Sequence, residues 1–263
     1  MEKEMNNMLH LNTASFRDPE VSPEGPKTTA PLDPAIAERN AALVERFGAL
    51  LFHASAQEIL AWAHEHAPGA LAVTLSMENT VLAELAKRYL PGADFLFLDT
   101  EYHFPETLEV ADAVEQRYPQ HRLVRARAQL SRADQDKTYG PNLYLRNPGA
   151  CCRMRKVEPL AVHMSPYVGW ITGLRRADGP TRAEAPALSL DATGRLKISP
   201  LVTWTLEETE AFEQDNDLII HLLTRQGYPS IGCATCTMPV AEGEDPRAGR
   251  WAFAAKTECG LHE

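Results

Sequence analysis

The five cysteines of this 263-residue chain form two pairs and one isolated residue. Cys151 and Cys152 are adjacent, Cys233 and Cys236 form a Cys-Ala-Thr-Cys motif, and Cys259 lies near the carboxyl terminus. Thiolates from the two pairs can share one site only if the fold brings together two loops that lie about eighty residues apart in the chain. The cysteine spacing therefore favours a fold with long-range contacts between loops.

Four thiolates suit either a zinc ion or an iron–sulfur cluster. Adjacent cysteines have divergent Cβ directions, which fit two neighbouring irons of a [4Fe-4S] cluster more easily than one tetrahedral zinc ion. Disulfides or buried thiols are the alternative, but the sequence has no signal-peptide pattern and no apolar run long enough to span a membrane. We therefore favour a cytoplasmic protein with one [4Fe-4S] cluster, whose ligands are Cys151, Cys152, Cys233 and Cys236.

Cys259 is a candidate nucleophile, because a cysteine followed by glycine and flanked by charge near a terminus is a poor core residue. Lys256 and His262 would lower its pKa by favouring the thiolate, whereas Glu258 and Glu263 would oppose that shift. An inert exposed thiol is the other interpretation of the local sequence.

Seven segments occur in a recognisable order: LDTEYHFPET at 98–107, CCRMRKVEPL at 151–160, WITGLRR at 170–176, PTR at 180–182, GYPSIGCATCT at 227–237, DPRAGRW at 245–251 and KTECGLH at 256–262. Together they resemble the assimilatory adenylyl-sulfate (APS) reductases, which are thioredoxin-dependent enzymes. The resemblance covers roughly residues 40 to 263.

The resemblance implies the reduction of APS to sulfite and AMP. Cys259 would attack the sulfur of APS, AMP would leave, and thioredoxin would release sulfite from the resulting cysteine S-sulfonate. If the other four cysteines hold a cluster, no cysteine remains to resolve this intermediate within the chain. The implied fold is a Rossmann-like α/β fold of the adenine-nucleotide α-hydrolase type, with a parallel sheet, helices on both faces and a C-terminal tail that carries the nucleophile.

The resemblance also implies a set of substrate contacts. Ser76 lies in the segment that corresponds to the modified pyrophosphate loop of the family. Lys156 would bridge the cluster and the substrate, while arginines would bind phosphosulfate oxygens bidentately. The implied contacts are Ser76, Leu98, Thr100, Lys156, Gly173, Arg182, Arg247 and Arg250. The chain departs from the family pattern at Asn79, where aspartate is usual, and at Glu101, where glycine is common.

Composition agrees with this interpretation. The formal charge of −10 and the isoelectric point near 5.4 argue against a protein that binds nucleic acid through broad electrostatics. An anionic substrate must therefore meet a local basic patch. A homo-oligomer is compatible with the sequence.

The chain divides into three predicted parts. Residues 1–32 are rich in proline and polar residues and are predicted to be a disordered leader, since their acidic residues are atypical of a transit peptide. Residues 33–250 are predicted to form the α/β reductase domain, and residues 251–263 a mobile catalytic tail. The first helix should begin at Asp33-Pro34, an N-cap followed by proline.

Alternating apolar strands and helices predict a parallel sheet covered on both faces. The predicted strands are Leu71–Leu75, Phe95–Leu98, Leu123–Val124, Val168–Thr172 and Leu196–Ile198. Capping boxes at Ser55 with Glu58 and at Thr205 with Glu208 predict two helix starts. Ligands should bind beyond the carboxyl ends of the strands.

Three other functions fit parts of the sequence. A reductase for 3′-phospho-APS (PAPS) would need a further cation. A nucleotide-activating or tRNA-thiolating enzyme on the same fold would carry a Ser-Gly-Gly-x-Asp-Ser loop, which this chain lacks. A non-enzymatic zinc module would be colourless.

Overall fold

The computed structural model describes residues 32–67 and 69–254. The predicted leader, apart from its last residue, lies outside the described residues, and so do Cys259 and the tail beyond residue 254. In the described ranges, no helix combines the length and apolar character that a membrane crossing requires.

The centre of the fold is a six-stranded sheet. Its strands are β1 (Leu71–Leu75), β2 (Asp94–Asp99), β3 (Leu123–Arg127), β4 (Gly169–Ile171), β5 (Leu188–Leu190) and β6 (Leu196–Ile198). The spatial order is β3-β2-β1-β4-β6-β5, and only the β5–β6 pairing is antiparallel. The five predicted strands are confirmed in a mostly parallel sheet, while the short antiparallel edge strand β5 was not predicted.

Nine α-helices accompany the sheet in the described ranges. They are α1 (Pro34–Leu51), α2 (Ala56–His66), α3 (Val81–Tyr89), α4 (Pro105–Arg117), α5 (Arg132–Tyr139), α6 (Leu143–Arg146), α7 (Pro148–Cys152), α8 (Glu158–His163) and α9 (Leu206–Asp215).

Local hydrogen bonds explain where several helices begin. The Asp33 carboxylate accepts from the Ala35 N–H at 2.8 Å, with proline at the first helical position of α1. Both predicted capping boxes are present, at the start of α2 and at the start of α9. The helix starts that depend on sequence-local contacts are therefore confirmed.

Alternating residues of the strands enter two different cores. Val73 of β1 and Phe95 of β2 pack into the large core beneath α1, α2, α3 and α4. Ala72 and Leu96 face the other way and pack with Trp170 and the end of α8. This alternation is what a strand period of two requires of a sheet that is covered on both faces.

The strand order creates a crevice at one edge of the sheet. The chain leaves β1 for β2 and β3, then returns to place β4 directly beside β1. The loops after β1 and β4 therefore run in opposite directions from neighbouring strands, which is the position where open α/β sheets bind ligands.

Candidate active site

Four buried cysteines line one cavity. Cys151 and Cys152 end α7, whereas Cys233 and Cys236 lie in the loop that precedes the C-terminal segment. The cavity has an empty volume of about 330 Å³ and is partly open, and no disulfide joins the four residues. The predicted convergence of the two cysteine pairs is confirmed by this arrangement.

A change of helical pitch presents Lys156 to the same cavity. Helix α7 continues into a π-helical turn at Arg153–Val157, and Asn147 caps the start of α7 by accepting from the Ala150 N–H at 2.9 Å. Lys156 is buried, with 9% of its surface accessible to solvent, and lines the cavity together with the cysteines. π-Helical turns inside α-helices are frequent at functional sites.

The Cys-Ala-Thr-Cys loop is fixed by contacts to the loop after β2. The Ala234 N–H donates to the Tyr102 carbonyl at 2.7 Å, and the Thr237 hydroxyl donates to the Cys233 carbonyl at 2.9 Å. The Thr100 hydroxyl lies 3.3 Å from the Cys233 sulfur. The carboxyl end of β2 therefore holds one side of the cysteine cavity.

Burial disfavours the thiolate forms of Cys151 and Cys236. Burial, followed by the charges of Cys152, Cys233 and Cys236, raises the pKa of Cys151 to about 12, although Arg155 opposes the rise. Burial also raises the pKa of Cys236, while the charges of Lys156 and Arg250 act in the opposite direction. A bound iron or zinc would reverse this effect, because a metal ion deprotonates the thiols that coordinate it.

The four thiols that line the cavity are donors that suit either a zinc ion or an iron–sulfur cluster. Among residues 32–67 and 69–254, no group of three or more His, Cys, Asp or Glu side chains is arranged to hold a metal ion.

The ring of Trp251, in the segment 245–251, lies near the cations of Arg250 and Lys156. The backbone N–H of Trp251 donates to the Cys236 carbonyl at 3.0 Å, and the backbone N–H of Met238 donates to the Gly249 carbonyl at 2.9 Å. The Trp251 ring centroid then lies 4.7 Å from Cζ of Arg250 and 6.0 Å from Nζ of Lys156. Lys156 and Arg250 therefore share one aromatic ring, and the charges of both act on Cys236.

The loop after β1 is tied to the cysteine loop by Glu78. Its carboxylate accepts from the Ile231 N–H at 3.1 Å, and its backbone N–H approaches the Ser76 hydroxyl at 3.4 Å. Burial raises the pKa of Glu78, and the charges of Arg175 and Arg250 partly offset the rise. As a whole residue, Glu78 is half-buried.

The other predicted substrate contacts lie in the segment after β4 and in the loop near residue 247. Arg182 forms an ion pair with Asp178 at 3.1 Å, and Asp178 is one of the charges that act on Glu78. Gly173 is exposed and follows β4. The backbone N–H of Arg247 donates to the Asp245 carboxylate at 2.8 Å.

His103 lies beside the backbone of Leu98 and Thr100, two of the predicted substrate contacts. Its Nε2 lies 2.8 Å from the Leu98 carbonyl and 3.2 Å from the Thr100 backbone nitrogen, so the tautomer decides which bond forms. Burial lowers the pKa of His103, and the charge of Lys156 lowers it further.

Several site residues were not predicted from the sequence: Glu78, Tyr102, His103, Arg155 and Trp251. Four of them lie inside segments that carry the family resemblance, which was the available signal. Glu78 precedes Asn79, at which the loop departs from the family pattern, and no signal in the sequence pointed to Glu78 itself.

The fold and the crevice define an α/β protein of the nucleotide-binding type found in the adenine-nucleotide α-hydrolases. The profile of the phosphoadenosine phosphosulfate reductase domain matches residues 69–239. The chain is 48% identical over 221 residues to the adenosine 5′-phosphosulfate reductase of Mycolicibacterium smegmatis, covering 84% of this chain and 93% of that protein. It is 46% identical over 245 residues to the enzyme of the same name from Rhodococcus erythropolis, covering 89% of this chain and 99% of that protein.

A solved structure agrees with these sequence matches. The phosphoadenylyl-sulfate reductase from Candida auris, in complex with phosphate, superposes with a TM-score of 0.63 at 25% identity, covering 75% of this chain and 96% of that one. The chain belongs to the phosphoadenosine phosphosulfate reductase family.

Proposed function

We propose that this protein reduces adenosine 5′-phosphosulfate to sulfite and AMP, as an oxidoreductase of sulfate assimilation and cysteine biosynthesis. Relatives that carry the name of this activity match 84–89% of the chain, which supports the proposal. The observation that carries it is the cavity lined by four cysteines and Lys156, with Arg250 on the Trp251 ring that lines the same cavity.

The crevice would bind the nucleotide with its anionic end toward the cavity. Lys156 and Arg250 would contact the phosphosulfate group, and Arg182 and Arg247 would approach it from the two flanking loops. Guanidinium groups donate bidentately to phosphate and sulfate oxygens, so each contact gives orientation as well as charge. Ser76, Gly173 and the backbone of Leu98 and Thr100 would contact the remainder of the nucleotide.

Cys259 would be the nucleophile. Its thiolate would attack the sulfur of the substrate, a bond between Cys259 Sγ and sulfur would form, and the bond from that sulfur to the phosphate oxygen would break as AMP leaves. A thioredoxin thiolate would then attack Sγ of Cys259 and release sulfite, leaving a mixed disulfide. The second thioredoxin thiol would break this disulfide, so thioredoxin supplies the two electrons and Cys259 is regenerated.

The residues Cys151, Cys152, Cys233 and Cys236 would hold a [4Fe-4S] cluster. When bound, the cluster would supply a fixed charge that organises Lys156 near the sulfate end of the substrate, without net redox change. If these four thiols hold the cluster, no cysteine remains to resolve the intermediate within the chain, and the reductant would come from outside it. Buried thiols without disulfides suit the reducing cytoplasm, where thioredoxin is available.

Mass spectrometry of the C-terminal peptide tests the nucleophile. Incubation with APS in the absence of thioredoxin should add one SO₃ group to the peptide that bears Cys259, and reduced thioredoxin should remove it. Cys259→Ser should bind APS and release no sulfite. An adduct on Cys233 or Cys236, or turnover by Cys259→Ser, would contradict this assignment.

Comparison of two nucleotides tests the substrate. The kcat/KM for sulfite production should be higher with APS than with PAPS, since we assign no cation to a 3′-phosphate. A preference for PAPS would make the protein a PAPS reductase. ATP-dependent adenylation without sulfite release would instead indicate an activating or thiolating enzyme.

Metal analysis tests the cofactor separately. Anaerobically prepared protein should contain iron and acid-labile sulfide and should be brown, whereas stoichiometric zinc in colourless protein would exclude the cluster. Cys152→Ser, which removes one ligand, should lower the iron content.

A further inference from the structure

The segment after β4 holds Arg182 against one carboxylate. Two short 3₁₀ turns, Arg176–Asp178 and Pro180–Arg182, follow each other in this segment. Nη1 of Arg182 donates to Oδ2 of Asp178 at 3.1 Å. Only 11% of the Arg182 side chain and 16% of the Asp178 side chain are exposed, so this pair differs from the fully solvated ion pairs that contribute little.

Asp178 is itself fixed by Arg175. Nε of Arg175 donates to Oδ1 of Asp178 at 2.9 Å, and the backbone N–H of Arg175 donates to Oδ2 at 3.1 Å. Both carboxylate oxygens of Asp178 are therefore engaged, and Oδ2 is shared between a backbone N–H and the Arg182 guanidinium. Rotation of this carboxylate would break charge-assisted hydrogen bonds, so its orientation is set.

The same arginine anchors the carboxylate to α9. Nη1 of Arg175 donates to the hydroxyl of Thr209 at 2.9 Å, and that hydroxyl donates to the Thr205 carbonyl at 2.8 Å. Thr209 is buried. A chain of hydrogen bonds therefore runs from α9 through Arg175 and Asp178 to the guanidinium of Arg182.

Arg176 fixes the backbone of the segment independently of this chain. Its Nε donates to the Ala185 carbonyl at 3.0 Å, and its Nη2 donates to the Phe52 carbonyl, just after α1, at 2.9 Å. Its backbone N–H donates to the Val202 carbonyl at 2.9 Å. Loss of the Asp178 carboxylate should therefore release the Arg182 side chain without releasing the whole segment.

The charges of this segment reach the loop after β1, which contains Ser76. Burial raises the pKa of Glu78 in that loop, the charge of Arg175 opposes the rise, and the charge of Asp178 adds to it. The two arginines and the one carboxylate together carry a single net positive charge. By charge alone, Asp178 would weaken the attraction of an anion to Arg182, so its electrostatic effect and its geometric effect on anion binding have opposite signs.

We infer, resting on the proposed function, that Asp178 is the positioning residue that holds Arg182 toward the anionic end of the substrate. Arg175 and Thr209 fix Asp178 on α9. Bidentate recognition of phosphate or sulfate oxygens needs a guanidinium in a defined plane. A long side chain whose orientation is set during folding loses less conformational entropy when the ligand binds. Asp178 itself makes no assigned contact with the substrate.

The test measures kcat and KM for sulfite release from APS, with thioredoxin as the reductant. Thermal unfolding and the iron content are measured on the same samples. The variants are Asp178→Asn, Thr209→Val, Arg182→Gln, the double variant Asp178→Asn with Arg182→Gln, and the control Asp94→Asn.

Asp94 is a matched control because its carboxylate also has two side-chain partners. It accepts from Nε of Arg122 at 3.1 Å and from the Tyr167 hydroxyl at 2.7 Å. It begins β2, at the opposite end of this strand from the predicted substrate contacts Leu98 and Thr100. Asp94→Asn should lower the unfolding temperature and leave the KM for APS unchanged.

Asp178→Asn should raise the KM for APS about tenfold and change kcat by less than about twofold, because an interaction present in both ground and transition states is weakened. Thr209→Val changes no charge and should raise the KM a few-fold. Arg182→Gln should raise the KM at least as much as Asp178→Asn does. The double variant should have the KM of Arg182→Gln, because Asp178 then has no guanidinium to hold.

An unchanged or lower KM in Asp178→Asn would overturn the inference, and a lower KM would show that Asp178 acts through its charge. A further rise of the KM in the double variant, or a wild-type KM in Arg182→Gln, would overturn it as well. If Asp178→Asn fails to fold, a wild-type KM in Thr209→Val has the same consequence. Failure of the unmodified chain to release sulfite from APS would instead reject the proposed function, so the two failures are distinguishable.

Discussion

The carboxylate of Glu78 accepts a hydrogen bond from the Ile231 N–H at 3.1 Å. This bond connects the loop after β1 to the residues that lead into the Cys233 turn. The backbone supports the same connection, because the His221 N–H donates to the Glu78 carbonyl at 3.0 Å. The loop after β1 is therefore hydrogen-bonded to the segment that leads into the cysteine loop.

Glu78→Ala should lower the free energy of unfolding by about 1–3 kcal/mol, because the Ile231 N–H would lose its acceptor inside the protein. Glu78→Gln should cost less, since its amide oxygen can still accept. Denaturant unfolding measures both. Glu38→Ala, which removes an exposed glutamate of α1, is the control, and a Glu78→Ala effect no larger than the control would contradict the prediction.

Glu213 should make stability depend on pH. Burial, followed by the charges of Glu78 and Glu210, raises the pKa of Glu213 from an ordinary value near 4.5 to about 7. Between these values the folded state binds more protons than the unfolded state, so the contribution of this group to stability falls as pH rises through that window.

Glu213→Gln should therefore stabilise the protein more at pH 8 than at pH 5, by on the order of 1 kcal/mol after solvent screening. Thermal unfolding at the two pH values measures the difference. Glu210→Gln, on the exposed side of α9, should show a smaller difference. Equal gains for Glu213→Gln at both pH values would contradict the pKa shift.

Elements fixed by local contacts were predictable from the sequence. Strands β1 and β6 have the predicted bounds, and the capping boxes at Ser55 and Thr205 are present, because strand pattern and capping act over a few residues. Edge strand β5 was not predicted, since its three residues depend on pairing with β6.

Long-range contacts explain what the sequence could not reveal about the site. Arg155 had the pattern of an ordinary solvated cation, yet the structure buries it against Gln135 and Glu101, which are 20 and 54 residues away. The convergence of the two cysteine pairs on one cavity was predictable because the spacing of thiols carries chemical information by itself. The role of Cys259 stays a prediction, since it lies outside the described residues.

Thr100→Val should weaken retention of the proposed cluster, because the Thr100 hydroxyl lies 3.3 Å from the Cys233 sulfur. Loss of this polar contact should make iron release to a chelator several-fold faster, on the scale of about 1 kcal/mol for a hydrogen bond. The control is Thr74→Val, which removes a hydroxyl that donates to the Ile171 carbonyl at 2.9 Å within the sheet. Equal iron release from both variants would show that the Thr100 hydroxyl has no specific effect on the cluster.

Gly232→Ala should weaken APS binding without lowering the iron content. A Cβ at Gly232 would lie 2.2 Å from Nη2 and 2.6 Å from Cζ of Arg250, so the guanidinium would have to move from its position beside Trp251. Moving one bidentate cation should weaken APS binding by about 1.5–3 kcal/mol, close to the effect of Arg250→Ala. Equilibrium binding of APS and iron analysis measure the two properties on the same samples.

The control for steric effects is Gly48→Ala in α1, where an added Cβ meets only ordinary contacts at 3.9 Å. This variant should bind APS as the unmodified chain does. The double variant Gly232→Ala with Arg250→Ala should bind no more weakly than Arg250→Ala alone, because the methyl group then has no guanidinium to displace. Additive losses in the double variant would mean that Gly232 acts through the cysteine loop and not through Arg250.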